Sequence, residues 1–164
     1  MNKIILSGLL ALLVSACATP SGPAPVEESE VESRIRQAAR DDSNGVQVFP
    51  LRNPAVEELM ASASQAERSG EADRAAMLLE RALRIQPRDP ELLQHVAEIK
   101  LQQAEYEQAL NFAVRSYDVG PKVGEICSRN WRTIALAKER LQDNAGAVEA
   151  EQRASRCMNF KPSL

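Results

Sequence analysis

Apolar positions along the chain fall into three regimes. Ile4 to Val14 is an apolar run interrupted by Ser7 and Gly8, behind one basic residue, Lys3. At about eleven residues it is short of the roughly 20 that span a bilayer, and it has the build of an export signal. From Thr19 to Glu30 apolar positions are sparse: Pro20, Pro23 and Pro25 sit among small residues, and the charges Glu27, Glu28 and Glu30 are all acidic. Such a segment has little apolar surface to bury and reads as an extended tether. Val31 to Arg40 places Val31, Ile35 and Ala38 on one side of a short helix, marginal in isolation. Asp41 to Gly45 breaks it. Val46, Val48 and Leu51 then alternate with polar residues, closed by Pro50 and Pro54. With no second strand to pair with, residues 46–53 are either an extended arm docked on the body or a plain linker.

From Pro54 onward the pattern is helical and repeats. Pro87 and Pro121 lie 34 residues apart, and so do Ala75 and Ala109, Ala63 and Ala97, Ala82 and Ser116, and Leu59 and Leu93. Ala63 with Ala75, and Ala97 with Ala109, are small enough for two helices to cross closely. Gly70 suits the positive φ of a helix end. In Pro87-Arg88-Asp89-Pro90, one helix pair ends and the next begins, Pro90 being tolerated in a first turn. A third copy falls into register when four residues are inserted, which aligns Trp131, Ile134, Ala135, Ala147 and Ala154.

This period and these residues resemble the tetratricopeptide repeat. The resemblance implies an all-α fold of about three helix-turn-helix repeats, six helices in a short right-handed solenoid, preceded by a flexible lipoprotein tether. The expected boundaries are an export signal at 1–16, a lipidated tether and extended arm at 17–53, and a repeat domain at 54–164. The repeats run over about 56–89, 90–123 and 124–161. The low aromatic content, 4% within 44% hydrophobic residues, agrees with helix crossings made by alanine.

Val14-Ser15-Ala16-Cys17 resembles the lipobox of bacterial lipoproteins, which implies cleavage before Cys17 and acylation of its thiol. The alternative is an ordinary signal cut near the same place; both export the protein. Ala18 is not the Asp associated with inner-membrane retention in that family. The resemblance therefore implies an outer-membrane anchor with the body in the periplasm.

In the repeat, paired helices run antiparallel. Cys127, at the start of the fifth helix, and Cys157, at the end of the sixth, are thereby expected side by side. Export permits oxidation, and a Cys127–Cys157 disulfide would staple the last repeat; buried thiols are the alternative. One His and three Cys give little for a metal site. No nucleophile elbow, zinc-protease helix or phosphate loop is present, so no catalysis and no cofactor are expected. His95 reads as a partly exposed helix residue. With 20 basic against 23 acidic residues there is no basic excess, and nucleic-acid binding is not expected.

What remains is a surface. In the family the first helix of each pair lines the concave face. Residue by residue, this assigns Glu57, Met60, Ser64 and Glu67, then Glu91, Gln94, Glu98 and Leu101, then Arg129, Arg132, Leu136 and Arg140. Such a groove passes from acidic to basic and would steer a peptide of opposite polarity; otherwise these charges simply solvate a helical body. The implied function is an envelope adaptor for a periplasmic or outer-membrane protein, held to the membrane by N-terminal acyl chains. Relatives of this kind serve pilus assembly, outer-membrane insertion and cell-wall enzymes. The alternative is a structural subunit docking or self-associating through a C-terminal edge with Phe160 and Leu164. Reversing Arg129 and Arg132 is expected to weaken a partner without lowering stability.

Overall fold

The computed structural model describes residues 22–42 and 52–158. The export signal, Cys17, most of the 46–53 arm, Phe160 and Leu164 lie outside the described residues. All regular structure among the described residues is helical. Helix α1 runs over residues 28–42, with Glu32–Gln37 wound as a wider π-helix between the α-helical turns Glu28–Val31 and Ala38–Asp42. Six further helices follow as three pairs: α2 (Pro54–Arg68) with α3 (Ala72–Ile85), α4 (Pro90–Gln102) with α5 (Tyr106–Val119), and α6 (Glu125–Arg140) with α7 (Asn144–Met158). The pairs stack in chain order, α3 on α4 and α5 on α6. This is the all-α arrangement of three helix pairs that the 34-residue period predicts.

Local chemistry sets the pair boundaries. Asn53 accepts a hydrogen bond from the Ala55 amide at 2.9 Å and Asp89 from the Leu92 amide at 3.0 Å, each followed by a proline that needs no amide partner in a first turn. The turn inside each pair needs one residue at positive φ: Gly70 (75°), Ala104 (58°) and Gln142 (65°). Only the first is the residue that adopts this freely. Their spacing is 34 and then 38, which locates the four-residue insertion between α5 and α6. It is absorbed by one extra residue in the loop and by α6, which has 16 residues where α4 has 13.

Ala63, Ala75, Ala97 and Ala109 are fully buried at the helix crossings. Around them, Val56, Leu79, Leu92, Val96 and Ile99 form the core of the first repeats, and Ala97, Ala113, Ile134, Ala135 and Ala150 that of the last. Every residue of α4 from Leu92 to Leu101 is buried, since α3, α5 and α6 all pack on it. At the end of α5, Ser116 donates to the Pro90 carbonyl at 2.6 Å. A Cβ on Gly120 would stand 2.8 Å from both Pro90 Cβ and the Ser116 carbonyl oxygen.

The structure departs from expectation within 17–53. Residues 22–42 are not a free tether. Val26, Val31, Ile35 and Ala39 are buried, and α1 packs against α6. Ala39, not Ala38, completes the buried stripe. The helix is marginal alone, but the repeat body supplies the packing that isolation denies it. The stripe recurs every four residues, which drifts by about 40° per step in an α-helix of 3.6 residues per turn. The wider winding at Glu32–Gln37 reduces that drift and keeps the stripe on the body.

Cys127 and Cys157 are bonded, with Cα atoms 5.7 Å apart, and the Gly124 amide donates to the Cys157 carbonyl at 3.0 Å. Replacing both cysteines by serine is expected to lower the unfolding free energy by about 3–4 kcal/mol in the chain-entropy picture, measured by denaturant titration. Unchanged stability would show that the bridge constrains nothing. Gly120→Ala is expected to cost about 1–3 kcal/mol by overpacking against Pro90, read as a lower melting temperature.

Candidate functional site

The first helices of the pairs, α2, α4 and α6, present one face, and α1 lies across it. At the centre is Glu98 of α4, whose side chain is fully buried. Its Oε1 accepts from Arg129 Nε at 3.0 Å and Nη2 at 2.8 Å, and from Gln94 Nε2 at 2.8 Å. Its Oε2 accepts from Arg36 Nε of α1 at 2.7 Å. Arg36 Nη2 also donates to Glu67 Oε1 of α2 at 2.7 Å, so one guanidinium bridges α1, α2 and α4. Glu67 is nearly as buried, with His95 Nε2 at 3.0 Å from its second oxygen and Gln102 donating to its first. Gln94 reaches Thr133 Oγ1 of α6 at 2.7 Å.

Burial by itself would raise the Glu98 carboxyl. The charges of Arg129, Arg36 and His95, with the Gln94 hydrogen bond, outweigh it and hold the group at about 2. The same contest, burial against the hydrogen bond from His95 and the charge of Arg36, holds Glu67 below its ordinary value. Both carboxylates are therefore ionised, and each needs a cation beside it.

Further along, α1 is bound at its start. The Val26 amide donates to the Leu101 carbonyl at 3.1 Å, and Tyr106 Oη donates to the Ala24 carbonyl. Val26, Val31 and Ile35 pack with Leu101, Tyr106, Ala109, Leu136 and Ala137. A second ionic group closes this end: Arg34 with Glu139 at 2.6 Å and Glu30 at 2.9 Å, and Arg140 with Glu30 at 2.5 Å. These side chains are more exposed than the central ones and contribute correspondingly less.

The twelve expected groove residues therefore divide. Glu67, Gln94, Glu98 and Arg129 meet at the centre, and Leu101, Leu136 and Arg140 meet around α1. Met60, Ser64 and Glu91 are half-buried and border a cavity of about 340 Å³ left beside α1. Glu91 also pairs with Arg52, which reaches Asp89 at 2.8 Å. Glu57 is exposed, and Arg132 pairs with Glu151 at 3.4 Å. Two expectations need correction. His95 is buried, at 6% exposure, because Glu67 gives it a partner. Arg129 is committed to Glu98, so reversing its charge would set two carboxylates together and lower stability. Sequence reasoning missed Arg34, Arg36 and Val26. The signal was there in Val31 and Ile35, a four-residue apolar step interleaved with arginines.

Residues 56–99 match the tetratricopeptide-repeat family. The structure of the globular C-terminal domain of LpoP from P. aeruginosa is similar to this chain at 35% identity. The match covers 63% of this chain and 98% of that domain, with a TM-score of 0.60. No curated protein matches.

The depressed Glu98 and Glu67 values carry a sign. A carboxylate held low in the fold contributes stability that is complete above its ordinary value near 4.5 and is lost as pH falls through its lowered value, which for Glu98 is about 2. Glu98→Gln is expected to cost about 3 kcal/mol at neutral pH, since it strips two arginines of a buried counter-charge. It should also flatten the loss of melting temperature between pH 4.5 and 2. An unchanged acid limb would show that Glu98 does not govern it.

Proposed function

Because the chain belongs to the family of tetratricopeptide-repeat lipoproteins that includes LpoP, we propose that it is a non-catalytic adaptor of the bacterial envelope. In this reading Cys17 is acylated, the anchor is in the outer membrane, and the body faces the periplasm. Among the described residues no helix is long and apolar enough to cross a membrane. The partner is a periplasmic or outer-membrane protein, and it is received on the concave face.

One observation carries the assignment of that face. It already holds a helix, α1, through buried apolar contacts and charge-assisted hydrogen bonds, which is how such grooves receive amphipathic segments. The cavity beside α1, with Met60, Ser64 and Glu91 at its edge, is the part of the face that a partner reaches first. The second reading, a structural subunit docking through the last repeat, is favoured by Val148 on α7, which is 59% exposed.

A photoreactive amino acid placed at Met60 or Ser64 in intact envelopes is expected to crosslink to a protein other than this chain. The same group at Glu80 or Arg81, on the outer face of α3, is expected to give none. Crosslinks only from α3, or only from Val148, would move the interface off the concave face.

A further inference from the structure

We propose that α1 is a replaceable occupant of the concave face. The partner segment is then an amphipathic helix that takes its place, with apolar residues four apart and an arginine where Arg36 stands. The inference rests on the adaptor reading above.

The chemistry of the face dictates the arginine. Glu98 keeps Arg129 whatever lies on it. Glu67 has no second arginine among the described residues: under a helix that lacks one at the place of Arg36 it is left with His95 and Gln102, and a covered face leaves its side chain only 2% exposed. A buried carboxylate without a cation is costly, so a helix lacking the arginine is rejected and one bearing it is accepted. The apolar requirement follows from Val31, Ile35 and Ala39, the buried stripe of α1.

The attachment of α1 is of the kind that exchanges. Among the described residues it is held by side chains and by one backbone–backbone hydrogen bond to the body, Val26 to Leu101. Two core clusters of the body, around Leu79 and Ile134, include no α1 residue, while the cluster around Leu101 and Leu136 is the one α1 covers. The cavity between Glu32 and Met60 gives an incoming segment a foothold before α1 leaves.

The test uses the full chain and a fluorescent peptide of residues 24–42. Ile35→Asp with Arg36→Glu vacates the face in cis. The peptide is expected to bind this double variant at least tenfold more tightly than it binds the wild type. A peptide carrying Arg36→Glu should lose at least tenfold of that affinity, and adding Glu67→Gln to the chain should shrink the difference between the two peptides. A protein crosslinked from Met60 in envelopes should be competed away by the first peptide and not by the second. Equal binding to wild type and double variant, or no binding to a double variant that still melts cooperatively, would overturn the proposal. A double variant that cannot fold would mark α1 as permanent core and overturn it equally. A wild-type chain that dimerises by exchanging α1 would put a second copy there and overturn the partner assignment. Crosslinking failure at Met60 with intact peptide exchange would instead sink the adaptor reading alone.

Discussion

A carboxylate buried among four helices has to be answered by cations from elsewhere, and Glu98 is that group. Its demand is met by Arg129, 31 residues later, and Arg36, 62 residues earlier. Neither arginine is near it in sequence, so the pairing fixes how α1 and α6 approach α4. Arg36 then spends its second nitrogen on Glu67, which fixes α2 to the same point. Buried ion pairs are poor sources of net stability, because desolvation offsets most of the attraction. They are good at excluding wrong arrangements, and here they select the occupant of the concave face.

The alanine crossings of the repeats work differently. They carry no directional demand and tolerate three stacked pairs with the same interface. The result is a regular scaffold with one irregular, polar centre. In the last pair the Cys127–Cys157 bridge ties the start of α6 to the end of α7. Envelope export is the setting in which such a bridge persists.

The repeats were legible because a period of 34 residues survives single substitutions. Even the interruption was legible, since a four-residue insertion brings Trp131, Ile134, Ala135, Ala147 and Ala154 into register, and the positive-φ turn at Gln142 follows Ala104 by 38 residues. The concave residues were legible as a list and not as a site. Their type said charge, but whether a charge faces water, a partner or Arg36 depends on what covers it. The cover, α1, was the least legible element. Its helix propensity is marginal, and its packing comes from Leu101, Tyr106 and Leu136, far away in sequence. His95 was misjudged for the same reason: its partner Glu67 is on another helix.

Helix α1 is docked by the ionic centre yet opens separately from the repeat body. Native-state hydrogen exchange on the full chain tests it directly. Amides across residues 31–39 should be protected and should exchange by a local opening well before those of α4 and α6. Protection in α1 equal to that of α4 would contradict it by making α1 inseparable from the core. An absence of protection in α1 would contradict it by denying that the helix is docked at all.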